Sequence, residues 1–145
     1  MNNTILTLIF IFSFFSCVEP PEHDYGLVEN LPVVINTDNV FTYSLYGDKY
    51  TSEDTFDLQL LLSDSIHKVI TSLIVSDFAG SNRDTTVITV EKDSTVVDVF
   101  SITSNYSSNP TETEVDSVFY LPKQVSVKLD QFSGKLEFLM IRSDL

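Results

Sequence analysis

Apolar and polar side chains alternate with a period of two along much of this chain. Phe56, Leu58, Leu60 and Leu62 are spaced by Asp57 and Gln59 and preceded by Thr55, the pattern of a strand with one buried face. Residues 85–91 and 95–102 are rich in Thr and Val and flank Asp93-Ser94, which predicts a hairpin. A two-residue turn there pairs Val90 with Val97, Ile88 with Val99 and Val87 with Phe100. Both faces of that hairpin then carry apolar side chains, so we expect it in mid-sheet. A second hairpin is expected around Ser133-Gly134, with Val125, Val127 and Leu129 before the turn and Leu136, Phe138 and Met140 after it. A two-residue loop pairs Leu129 with Phe138 and Val127 with Met140 on one face. The same register opposes Asp130 to Glu137, so a longer turn is the alternative. Further strands are expected at residues 33–37, 40–46 and 115–121.

One segment supports two readings. Ile66, Val69, Ile70, Leu73 and Ile74 form a helical stripe with Ser63 or Asp64 as N-cap. Residues 69–75 are nevertheless mostly β-branched, which favours a strand, and we read them as one.

The first residues follow a different pattern. Residues 5–15 are an uncharged apolar run, followed at once by Ser16-Cys17, the only cysteine of the chain. The run has the length of a secretory h-region and is too short to span a bilayer. Phe14-Phe15-Ser16-Cys17 resembles the lipobox of bacterial lipoproteins, in the aromatic-rich form of Bacteroidetes lipoproteins. Met1-Asn2-Asn3-Thr4 carries no Lys or Arg, so only the terminal amine supplies positive charge there. The resemblance implies a signal peptide over 1–16, cleavage before Cys17 and lipidation of its thiol. The competing reading, residues 5–15 as a core strand with Cys17 buried, fits poorly with the polar, Pro-containing chain that follows. Residues 17–32, which include Glu19-Pro20-Pro21-Glu22, are expected to form an extended acidic tether. Acids soon after the cysteine resemble the surface-export signal of Bacteroidetes lipoproteins.

Residues 33–145 have the size of one domain. With Cys17 lipidated no intramolecular disulfide remains, so stability rests on packing and hydrogen bonds. The stretch Val75-Ser76-Asp77-Phe78-Ala79-Gly80-Ser81-Asn82, followed by Thr86 to Val90, resembles a hairpin of bacterial immunoglobulin-like domains. Many short strands at regular spacing also imply a sandwich. The expected fold is therefore all-β, an immunoglobulin-like β-sandwich of about seven to nine antiparallel strands, with a jelly roll as the variant that the additional C-terminal strands allow.

Charge narrows the partners. Eight Lys plus Arg against 21 Asp plus Glu give a net charge of −13, which argues against nucleic acid and against charge-driven binding to anionic lipid. Chemistry-bearing motifs are sparse. His23 and His67 lack metal-type spacing with another His or Cys, and four glycines form no phosphate-cradling loop. Glu53, Asp54 and Asp57, and Glu112, Glu114 and Asp116, are neighbours on strand edges, a poor arrangement for paired catalytic acids. Asp48, Glu53 and Asp54 could supply oxygen ligands to calcium, but no Asp-x-Asp-x-Asp-Gly loop is present. We expect no catalytic residues, no metal site and no cofactor.

Asp64-Ser65-Ile66, Asp84-Thr85-Thr86, Asp93-Ser94-Thr95 and Asp116-Ser117-Val118 resemble the O-glycosylation site of exported Bacteroidetes proteins, making Ser65, Thr85, Ser94 and Ser117 candidate attachment positions. The same dipeptides also initiate turns. The expected function is a non-catalytic, lipid-anchored lipoprotein of the outer membrane or cell surface, contacting envelope proteins as an interaction or accessory module. The alternative is a carbohydrate-binding accessory lipoprotein of a polysaccharide uptake system, recognising glycans. It would need Tyr43, Tyr46, Tyr50, Tyr106 or Tyr120 to form a stacking platform, since Trp is absent.

Overall fold

Two long strands organise this protein. The computed structural model describes residues 26–63, 67–80, 86–114 and 120–144. In chain order the strands are β1 (Val33–Asn36), β2 (Val40–Asp57), β3 (His67–Ser76), β4 (Val87–Lys92), β5 (Thr95–Ser101), β6 (Tyr106–Ser107), β7 (Thr111–Glu114) and β8 (Gln124–Asp144). Every ladder between them is antiparallel. β2 and β8 pair along nearly their whole length, from Val40 opposite Ile141 to Asp57 opposite Gln124. Their pairing is interrupted between Gly47 and Ser52, where the register shifts twice.

That interruption turns one sheet into two layers. In β2 the buried positions before it are Phe41, Tyr43 and Leu45, and the inward positions after it are Tyr50, Ser52, Asp54 and Phe56. In β8 the buried positions are Val125, Val127 and Leu129 on one side and Phe132, Leu136, Phe138 and Met140 on the other. Both strands thus change the parity of their inward face. Each does so through a residue in the left-handed region, Lys49 (φ 50°) and Gln131 (φ 52°), as β-bulges do when they bend a strand. The amides released from the ladder are capped across the bend. The Lys49 N–H donates to Ser133 Oγ at 2.9 Å and the Gln131 N–H to Thr51 Oγ1 at 3.0 Å.

The first layer runs β1, β2 (its N-terminal half), β8 (its C-terminal half) and β3, with β6 and β7 on the far side of β3. The second runs β2 (C-terminal half), β8 (N-terminal half), β4 and β5. Aromatic contacts join them. Phe41 meets Phe56 at 5.7 Å between ring centroids, although both lie on β2, and Phe100 of β5 meets Phe138 of β8 at 5.4 Å. The result is an all-β antiparallel sandwich with eight strands among the described residues, as the alternation implies. The segment at 67–76 is a strand, and the Asp93-Ser94 hairpin forms.

Several expectations of detail are corrected. Residues 124–144 are one bent strand and not a hairpin, because Ser133-Gly134 lies at the bend and Gly134 faces Gly47. The alternation on its two sides is therefore broken by a corner and not reversed by a turn. β3 and β4 do not pair with each other but lie in opposite layers. β5 pairs only with β4 among the described residues, so the hairpin is at an edge, and an irregularity after Val90 pairs it with Asp98 in place of Val97. The strand expected around Phe56 is the tail of β2 and ends at Asp57, although Leu60 beyond it remains buried. Most of the strand expected at 115–121 lies outside the described residues.

Two predictions follow from backbone geometry. A Cβ on Gly134 (φ 135°) would sit 2.8 Å from the Ser76 carbonyl oxygen. Gly134→Ala should therefore cost about 2–3 kcal/mol in urea denaturation, through strain and overpacking against backbone. Asp93 and Ser94 both have positive φ, 47° and 66°, the type I′ hairpin geometry. Ser94→Gly should stabilise by about 0.5–1 kcal/mol in the same assay.

Candidate functional site

Strand alternation scatters the acidic neighbours. Glu53 points outward and pairs with Lys128 at 3.3 Å, whereas Asp54 takes the opposite, inward parity. Asp57 accepts a hydrogen bond from Gln124 at 2.9 Å, and Glu112 pairs with Lys68 at 3.0 Å. Asp48 lies at the bend, where its carboxylate accepts from Ser133 at 3.5 Å. Among the described residues no three of His, Cys, Asp and Glu gather as a metal would require. Asp116 and His23 lie outside the described residues.

His67 is held as a structural link. Its Nδ1 accepts from the Ser63 N–H at 2.8 Å, which leaves the proton on Nε2, 3.5 Å from the Asp144 carboxylate. The ring ties the chain after β2 to the ends of β3 and β8.

The tyrosines do not share a plane. Tyr43 is fully buried in the core and Tyr120 packs against it. Tyr46 faces outward before the bend, Tyr50 inward after it, and Tyr106 is exposed on β6. The Tyr43 hydroxyl is buried beside Ser52, and neither hydroxyl completes a hydrogen bond. Burial pushes the Tyr43 phenol well above the ordinary tyrosine value.

Cys17, Ser65, Thr85 and Ser117 lie outside the described residues. Ser94 lies within them, exposed in the two-residue turn between β4 and β5. An open groove of about 510 Å³ runs over the bend, lined by Thr51, Ser52, Glu53, Val87, Lys128, Leu129 and Asp130. Its charged groups are the paired Glu53 and Lys128 together with Asp130, a set that offers no converging acid and base.

The most distinctive surface is the outer face of the first layer. Ladder partners fix which side chains share it. Ile35 stands beside Thr42, Thr42 beside Leu139, and Leu139 beside Ser72. The next row holds Val33, Ser44, Glu137 and Ile74, and another holds Val40, Ile141 and Ile70. Ile35 is 48% exposed, Val33 44% and Ile74 42%. The outer face of the second layer differs. It carries Glu53, Asp57, Glu91 and Asp130 around Lys128, with Thr55, Ser126 and Thr89 between them. The face of the first layer is mainly aliphatic with Glu137 among its rows, and that of the second is mainly charged and polar, with the exposed Val96 and Val99 on its β5 edge.

Sequence reading missed this face, though a signal was present. β3 reads as a helical stripe because Ile70 and Ile74 point outward while Val69, Leu73 and Val75 point inward. A strand apolar on both faces imitates a helix in periodicity. Comparison of the chain with known protein families, curated proteins and solved structures finds no match.

The Tyr43 phenol gives a pH test. Below pH 10 the phenol is protonated in both states, so it adds no pH dependence. Above its ordinary value of 10.0, the unfolded state ionises first and stability falls by up to about 1.4 kcal/mol per pH unit. Tyr43→Phe should leave stability at pH 7 within about 1 kcal/mol and should flatten the loss above pH 10 in urea titrations.

Proposed function

We propose that this protein is a non-catalytic, lipid-anchored lipoprotein of the outer membrane or cell surface that works through a protein contact. The observation that carries the contact is the asymmetry of the sandwich. Exposed aliphatic patches mark interaction surfaces, and Val33, Ile35 and Ile74 are exposed on one face with the half-buried Leu139, Ile141 and Ile70, spaced by Thr42, Ser44, Ser72 and Glu137. The acidic opposite face suits solvation and mutual repulsion in a crowded envelope.

The anchor is read from residues 5–17. An apolar run that ends in Ser16-Cys17 supplies a lipidation position, and the polar chain behind it supplies reach. One acyl chain holds a protein only marginally, so stable retention at the membrane takes more than one chain on the anchored residue. Ser94 is the candidate glycan position whose surroundings are defined, at the tip of a hairpin turn where a bulky group meets no neighbouring strand.

Intact-mass spectrometry of the membrane fraction tests this reading. The expected species begins at Cys17 with added acyl mass, and hexose-type mass beyond it identifies glycosylation. A soluble protein that retains residues 1–16 overturns the anchor.

A further inference from the structure

A chain of net charge −13 repels its own copies over most of its surface. The outer face of the first layer is built differently. Its three central rows hold Ile35, Leu139, Ile141, Ile70, Ile74 and Val33 among small polar side chains, with Glu137 between Ser44 and Ile74 and Glu112 beside Ile70 as the acids. Each acid has a lysine at the adjoining end of the face, Lys135 two residues from Glu137 toward the bend and Lys68 paired with Glu112 at 3.0 Å at the other end. Each end therefore carries both signs. We propose that this face is the contact of a symmetric dimer, in which a second copy packs its own first layer against it. The inference rests on the interaction reading above and names its partner.

Three features favour a second copy. The first is charge. A two-fold contact brings the same patch together with itself, and a face on which Lys135 and Lys68 balance Glu137 and Glu112 presents no block of like charge. Acids on the far layer lie beyond the roughly 8 Å screening length of physiological salt.

The second is relief. The row Ile35, Thr42, Leu139, Ser72 alternates large and small side chains across the strands. A rotated copy presents the same ridges and hollows, which sheets packed face to face about 10 Å apart interdigitate.

The third is size. The face spans about 20 Å by 20 Å, roughly 400 Å² in projection. That lies at the low end of specific interfaces, whose standard is about 800 Å² of accessible surface per partner, so the dimer is weak in dilute solution. Anchoring at Cys17 confines copies to one membrane, where effective concentrations reach the millimolar range and populate it.

The test places a photo-crosslinking benzoylphenylalanine at Ile74, or separately at Ile35, in the full chain expressed in its native envelope. Both positions are exposed, and Thr55 on the opposite face is the control. The expected product has twice the mass of the chain, forms from Ile74 and Ile35, and does not form from Thr55. Adding Leu139→Lys should reduce it about tenfold or more by burying an unpaired charge. An adduct to a different protein overturns the dimer and leaves the interaction reading in place. No adduct from either position overturns both. Equal yield from Thr55, or yield unchanged by Leu139→Lys, overturns the dimer.

Discussion

Everything in this sandwich depends on the bend shared by β2 and β8. Two strands that stay paired through a corner must fold together, and here the interruptions fall opposite one another, at Gly47 to Ser52 and at Leu129 to Gly134. Glycine is required on both strands, since a Cβ on Gly47 would lie 2.9 Å from the Phe132 ring and one on Gly134 would meet backbone carbonyl oxygens. Hydroxyls of Ser133 and Thr51 take up the amides that the bend releases. The chain has a single cysteine, so no disulfide staples the layers. They are held by aromatic packing between them, Phe41 on Phe56 and Phe100 on Phe138.

The bend also divides the work of the surface. Before it, the outward residues of β2 are Val40, Thr42, Ser44 and Tyr46; after it they are Thr51, Glu53, Thr55 and Asp57. β8 divides in the same way, with Gln124, Ser126, Lys128 and Asp130 on one side and Lys135, Glu137, Leu139 and Ile141 on the other. A single strand thus contributes a sticky half and a solvated half. This separation gives a strongly acidic chain one mainly aliphatic face whose few charges are of both signs, while the acids elsewhere favour solubility.

How much of this was legible in the sequence follows from the kind of signal each element carries. Period-two alternation in β2, β4 and β8 is a local property, and Phe41, Tyr43 and Leu45 or Val125, Val127 and Leu129 announce their inward face directly. The Asp93-Ser94 turn was equally plain, because turn chemistry is local too. The corner in β8 was not. Ser133-Gly134 looks like a hairpin turn, and only the long-range pairing of Gly134 with Gly47 makes it a bend. Likewise β5 reads as central from Val96, Val97 and Val99, yet β4 is its one ladder partner among the described residues, and its apolar outer side chains remain exposed. The candidate surface was hidden for the same reason: Ile70 and Ile74 share a face with Ile35 only through the order of the strands.

The place of β8 in that order has a consequence for biosynthesis. It follows the other seven described strands in chain order and is the centre of the sheet, touching β2, β3 and β4. A ribosome that has delivered every earlier strand has still not delivered their common neighbour. β1 and β2, or β4 and β5, can form only isolated two-stranded pairs at that stage, and such pairs are marginal in water. Closure must then wait for contacts as distant as Asp57 with Gln124, 67 residues apart, and pairing over such separations is slow. The order of the strands by itself thus holds back closure of the two layers until β8 is available.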